Sequence, residues 1–417
     1  MFFLIFLAFF SNLTLYSSEN FSFYGEIRWR FEYLDNLDFL SSRVDQDGIN
    51  LFRTRLNIDY KFYEALFFHS QFQDARVGSL SYGSRSNYED SFDLREFYFK
   101  YGNLKDKNFS LSFGRMEIAL GDERLVGPVK WSNVSQSFDG ICIDFLLKKW
   151  NFKIFSLRRV LIEDGKFNKW DDEDNFFGSW LTKNVTNYHN LNLFLFYRDT
   201  GKPISFGQSV GAAKMKEFTA GFQFEGKGLK GFDYLFFGAL QTGDFGEKDI
   251  SAKAFVFTLN YNIPLFLSPK IGVEFDWGSG DKDPQDNKRG TFDNLYPTGH
   301  KFYGYMDRAS LQNLKNFAFH LFLQPSKDTN LEISYHNINL DTSADSLYLA
   351  SRKPFIQGTK GQSTKVGDEL DFALNFKMNK NFNFLLGYSY FWAGDFLQEN
   401  GRPDDAEYFY FQSEIKF

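Results

Sequence analysis

The sequence predicts an all-β chain: a single antiparallel transmembrane β-barrel with short turns on one rim and long extracellular loops on the other. Three observations carry that prediction. Aromatics make up 20% of residues and charged residues 24%, with a mean hydropathy of -0.39, so the chain is both greasy and highly charged. Segment after segment alternates apolar and polar residues with period two. The chain also closes on an alternating strand whose last residue is Phe417. A helical membrane protein needs long unbroken apolar runs, whereas a barrel needs only one lipid-facing side chain in two. AT-rich coding raises a Phe count but does not place Phe at alternate positions.

The N-terminus, MFFLIFLAFFSNLTLYSSEN, holds an apolar core from Phe2 to Phe10, too short to span a bilayer as a helix. With the small polar Ser17 and Ser18 behind it, it reads as a secretory signal peptide over residues 1–18, although no Lys or Arg precedes the run. The barrel domain is then 19–417. No Cys lies near the cleavage region, which argues against a lipid-anchored N-terminus. No plug domain is expected ahead of the first strand.

In FSFYGEIRWRFEYL, Phe21, Phe23, Ile27, Trp29, Phe31 and Tyr33 share one face and Glu26, Arg28, Arg30 and Glu32 the other. FRTRLNIDYKF repeats this, with Phe52, Leu56, Ile58, Tyr60 and Phe62 opposite Arg53, Arg55, Asn57, Asp59 and Lys61. Further along, Phe218, Ala220, Phe222 and Phe224 oppose Glu217, Thr219, Gln223 and Glu225. Ile271, Val273, Phe275 and Trp277 oppose Lys270, Glu274 and Asp276. Leu370, Phe372, Leu374 and Phe376 oppose Glu369, Asp371, Asn375 and Lys377. In WNFKIFSLRRVLI the facing is ambiguous. Turns such as KMNKN are short; the Asp/Gly-rich stretches 278–290 and 341–368 are long.

Roughly seventeen strands can be counted, and bacterial single-chain barrels are even-stranded, so one is missing. The gaps lie at 163–184 and 199–214. A soluble sandwich also alternates, but rarely sustains so many strands with charges on one face and aromatics on the other.

The net charge of -6 leaves no dominant basic face, which argues against nucleic-acid binding. Cys142 is the one cysteine, so no intrachain disulfide forms. Asp281, Asp283 and Asp286 do not match a calcium-loop spacing and read as a solvated loop. Among His69, His189, His300, His320 and His336, none sits in a nucleophile motif, so no enzyme and no cofactor or metal is expected. Arg28, Arg30, Arg53 and Arg55 are lumen candidates, because a wet interior tolerates them while a lipid-facing Arg at midplane costs roughly 2–4 kcal/mol. The bland alternative is that such arginines pair with Glu26, Glu32, Asp59, Glu117, Glu123 or Asp139 and only brace the wall.

LFRTRLNIDYKF (51–62), FGRMEIALGDERLVGPVKWSN (113–133), SFDG (137–140) and SGDKDPQDNKRGTFDNLYPTGHKFYGYMD (279–307) occur in that order. VGDELDF and GYSYFWAGDF give weaker support. On these blocks the chain resembles the alginate-export family of outer-membrane barrels. The resemblance implies a monomeric barrel of about eighteen strands in the bacterial outer membrane. It implies a passive channel for an acidic exopolysaccharide, lined by Arg28, Arg30, Arg53, Arg55, Arg115, Arg124, Lys130 and Asp139. It makes TFDNLYPTGHKFYGYMD a connection at or folded into the pore mouth, with Asp293, Tyr296, His300 and Asp307 structural or pore-lining. Expected partners are lipid, lipopolysaccharide, the barrel-assembly machinery and a periplasmic polysaccharide-synthesis complex. Ser137 departs from the family pattern, which has a basic residue just before FDG. The other readings are a general or small-anion porin, a hydrolase at the rim, and a structural barrel with a closed lumen.

Overall fold

A computed structural model of the chain describes residues 19–41, 47–78, 88–205 and 211–417; the signal-peptide segment 1–18 lies outside them. Eighteen strands make the wall. They are β1 (Phe21–Asp35), β2 (Asp47–Tyr63), β3 (Leu66–Gly78), β4 (Asp90–Asn103), β5 (Phe109–Met116) and β6 (Phe138–Leu147). Next come β7 (Trp150–Leu161), β8 (Lys169–Asn184), β9 (His189–Thr200), β10 (Met215–Leu229), β11 (Phe232–Phe245) and β12 (Lys248–Asn262). The last six are β13 (Lys270–Gly278), β14 (Leu314–Ser326), β15 (Thr329–Leu340), β16 (Lys365–Lys377), β17 (Phe382–Ala393) and β18 (Ala406–Lys416).

Each strand pairs antiparallel with its chain neighbours, and β1 pairs with β18, so the sheet closes on itself. Closure removes every open edge, as hydrocarbon surroundings demand of a spanning sheet. The seam is locked by the chain end. Gly25 N–H donates to the Phe417 carbonyl at 2.8 Å, and Phe417 N–H donates back at 3.0 Å. The Phe417 ring lies where a Cβ on Gly25 would sit, 2.8 Å away, so only glycine fits there.

The alternation is realised as read. Arg28, Arg53, Asn57, Glu217, Thr219, Asp276, Glu369 and Asp371 point inward and are buried; Phe52, Phe218, Phe275 and Phe372 point outward and are exposed. The missing strand is β8, inside the gap at 163–184. It was illegible because its inward residues include Phe176 and Trp180, so aromatics occupy both faces. The neighbouring ambiguity in β7 has the same cause: Phe155 and Leu157 face in, Ile154 faces out, and the register slips between Arg158 and Val160. In the gap at 199–214, β9 ends at Thr200, and the described residues from 201 on hold only the pair Ile204–Ser205 and Ala212–Ala213. Cys142 is a packed, inward thiol.

Connections after even-numbered strands are short, for example 148–149, 230–231 and 327–328. Those after odd-numbered strands include the long segments 117–137, 279–313 and 341–364. Both chain ends meet the short-turn rim, because Phe21 pairs with Tyr60 at the end of β2.

Candidate functional site

Two long loops fold into the barrel instead of standing above it. Every residue from Thr291 to His300 is buried. Loop 279–313 and loop 117–137 are joined by backbone bonds: Tyr296 N–H to Leu125 O at 2.8 Å, Gly127 N–H to Tyr296 O at 2.9 Å, and Thr298 N–H to Glu123 O at 3.1 Å. Tyr296 wedges its ring between Phe138 (centroids 5.2 Å) and Phe176 (5.0 Å) and donates its hydroxyl to Asp174 at 2.7 Å. This is why β6 to β9 carry aromatics inward: they form the socket for a loop.

Asp293 and His300, though close in sequence, do not meet as an acid–base pair. Asp293 is fully buried and clasped by Arg198 at 3.0 Å and Arg352 at 3.1 Å. Its backbone is held by Gln241, which accepts from Asp293 N–H at 2.7 Å and donates to its carbonyl at 2.7 Å. His300 contacts Asp307 at 3.1 Å and stacks on Trp131. The stretch is therefore an internal packing element. Its turn needs glycine at 304: φ is +94°, and a Cβ there would strike the Glu369 carboxylate, which accepts from Met306 N–H at 2.8 Å.

Below the loops lies a cavity of about 1510 Å³. Its lining includes Tyr24, Asp59, Ser268, Lys270, Gln324 and Phe417 near the short turns, so it opens on that rim. Its roof is built by both loops, from Glu123, Lys130, Trp131, Thr298, His300, Lys301 and Tyr305. A four-membered stack spans the roof. The Arg30 guanidinium lies 3.8 Å from the Trp131 ring centre; Trp131 and His300 stack at 4.0 Å and 7°; His300 and Tyr305 stack at 5.3 Å. Wall, first loop and second loop are thereby fastened in sequence.

One wall of the cavity gathers Arg28, Arg53, Arg55 and Arg95 among the carboxylates of Glu26, Asp59, Glu96 and Glu117. Arg28 and Arg53 are directly opposite in the β1–β2 register, an arrangement that is unfavourable for like charges. The loop relieves it with carbonyl oxygens. Arg28 donates to Lys130 O and Trp131 O at 3.3 Å, to Ser132 O at 3.2 Å and to Asn133 Oδ1 at 3.0 Å. Arg53 donates to Ser132 O at 3.2 Å and pairs with Glu26 at 2.6 Å; Arg55 donates to Ser135 Oγ at 2.8 Å. Among the described residues no carboxylate comes within ion-pair distance of Arg28. Arg95, which the sequence reading overlooked, joins this wall between Gln71, Glu96 and Glu117. Its inward place depends on a bulge: Gln71 pairs with Glu96 and Phe72 with Leu94, so Arg95 and Glu96 both turn inward and alternation alone does not place it.

Of the eight lumen candidates, Arg28, Arg53, Arg55 and Lys130 line this cavity, while Arg30 sits behind Trp131. The other three are not gathered with them. Arg115 is held by Asp139 at 2.8 Å and by the carbonyls of Leu94 and Asn168. Arg124 is enclosed by Asp122, Glu274 and Asp276 at 2.7–2.8 Å and anchors the first loop to β13. The bracing alternative describes Arg115, Arg124 and Asp139, and also Arg30, which pairs with Glu32 at 2.7 Å, and Arg53 and Arg55, which share Glu26 at 2.6 and 3.6 Å. Asp281 is not solvated as expected: it is buried, donates its N–H to Asp345 at 2.9 Å, and leaves one oxygen unpartnered, while Asp283 and Asp286 are exposed. Among the described residues no group of three or more His, Cys, Asp or Glu is placed to hold a metal ion.

Comparison with known proteins agrees with this geometry. Solved barrels similar in fold include OccK11 (OpdR) of Pseudomonas aeruginosa, 11% identical, TM-score 0.61, covering 97% of this chain and 100% of that one. OccAB4 of Acinetobacter baumannii is 11% identical, TM-score 0.64, covering 96% and 99%. OpdK of P. aeruginosa, whose structure holds vanillate, is 11% identical, TM-score 0.61, covering 95% and 98%. No curated protein matches the chain in sequence. The model of the family described as alginate export matches residues 19–411, nearly the whole chain, and the protein belongs to that family of outer-membrane channels.

Proposed function

We propose that the chain passes a hydrophilic, anionic solute by diffusion across the outer membrane, and that within its family role the solute is an alginate-like exopolysaccharide. One observation supports this above the others. Arg28 faces Arg53 on the cavity wall, satisfied by neutral carbonyls and not by an acid. A guanidinium held this way has no ion pair to cancel its charge, and its planar fork suits carboxylates. In this reading the short-turn rim faces the periplasm, and solute enters the cavity there. The partners are those of such a channel: membrane lipid, lipopolysaccharide, the assembly machinery that folds it, and a periplasmic polysaccharide-synthesis complex. The chain acts as a monomer.

The roof favours a second reading, a small-anion porin. With Trp131 and His300 in van der Waals stacking, the loops leave no polymer-sized gap between them. Planar-bilayer recordings separate the two. Added polyuronate that blocks the current from the short-turn side supports polymer passage. Block by monomeric carboxylates with none by polymer supports the porin.

A further inference from the structure

Some lysines of this barrel are paired: Lys202 with Asp171 at 2.7 Å, Lys315 with Asp341 at 3.0 Å, Lys365 with Asp368 at 2.9 Å and Lys153 with Asp144 at 2.7 Å. Six lysines of the short turns are not. Lys107, Lys148, Lys149, Lys230, Lys327 and Lys380 are exposed, and among the described residues none has a carboxylate within ion-pair distance. They belong to five different turns, distributed from β4–β5 to β16–β17, so they ring the barrel. A chain with a net charge of -6 thus carries a ring of unpaired lysines at its short-turn rim.

A second observation fixes their depth. The residues just ahead of them are bare and apolar: Leu147 is 57% exposed, Leu229 37% and Met378 58%. The Lys107 ammonium lies 5.6 Å over the ring of Tyr101, an outward-facing residue. The turn 263–269 adds Leu265 and Phe266 at 66% and 87% exposure. An apolar band giving way abruptly to a ring of lysines is the boundary between acyl chains and headgroups, where long cationic side chains rest their stems on apolar surface and extend their charge outward.

We propose that the short-turn rim is a binding collar for anionic phospholipid, with the six lysines taking lipid phosphates and Leu265–Phe266 lodged at the acyl boundary. Lysines near a negative surface are drawn to it, an attraction that falls off within a Debye length. The inference rests on the bilayer-spanning fold and not on the solute that passes, so either stands if the other fails.

The test is lipid retention on the purified barrel in mixed phosphatidylglycerol–phosphatidylcholine nanodiscs, read by native mass spectrometry. The wild-type protein should retain phosphatidylglycerol several-fold over its bulk share. Half-molar salt should collapse that enrichment. The sextuple Lys→Gln variant, checked for folding by heat-modifiable gel mobility, should show the bulk ratio. No enrichment in the wild type, enrichment indifferent to salt, or enrichment kept by the variant would overturn the proposal. So would a variant that keeps its lipid preference but loses polyuronate binding, which would make the collar a landing site for soluble polymer.

Discussion

The indole of Trp131 and the imidazole of His300 stack at 4.0 Å with 7° between their planes, and this contact joins the two loops that roof the cavity. Trp131 is also covered on its other face by Arg30. An aromatic pair and a cation–π contact are each worth about 1 kcal/mol. Trp131→Ala should therefore weaken loop closure by about 2 kcal/mol, a shift of about 30-fold toward the open roof. The expected result is a larger single-channel conductance with unchanged folded gel mobility. Unchanged conductance would mean that the stack does not limit passage.

Asp293 is the buried anion between Arg198, buried with it, and the half-buried Arg352. Removing one partner of a buried pair leaves uncompensated charge at a cost of about 3–5 kcal/mol. Asp293→Ala should loosen loop 279–313 and expose it to protease, while Asp293→Asn, which keeps the shape and the Leu295 N–H contact, should do so less. Arg198 keeps Asp174 in either variant, so the wall itself should survive boiling resistance tests. Equal protease resistance of both variants and the wild type would refute the clasp.

Asp281 supplies a pH prediction. Burial and the neighbouring Asp345 push its carboxyl above the ordinary carboxylate value. The folded state then holds a proton that the unfolded state releases, so the group's contribution falls as pH rises through the interval between the two values. At pH 7 the ionised, crowded form is a liability. Asp281→Asn should raise the melting temperature at neutral pH and lose its advantage below pH 4. An advantage that persists in acid would point to packing instead of charge.

How much of this was legible in the sequence follows from what each residue faces. Arg28, Arg53 and Phe52 were readable because one side meets lipid and the other water, and the alternation records that difference. The strand β8 and the facing of β7 were not, because Phe176, Trp180 and Phe155 point inward against a loop as greasy as the lipid outside. The resemblance placed 291–307 at or folded into the pore mouth, but what holds it there was hidden. Asp293 is answered by Arg198 and Arg352, and the loop's Met306 N–H by Glu369. All three partners lie outside the stretch, distant in sequence and near only once the barrel closes. Arg115 and Arg124 could not be told from Arg28 by pattern alone; only the positions of Asp139, Glu274 and Asp276 separate bracing cations from one that confronts the cavity.

The most direct test of the account is the zero-current potential of the purified protein in a planar bilayer under a salt gradient, for the wild type and for Arg28→Gln/Arg53→Gln. The account predicts anion selectivity in the wild type, largely lost in the double variant, because Arg28 and Arg53 act on the ions that fill the cavity. Cation selectivity in the wild type, or anion selectivity that the double variant leaves unchanged, would contradict it.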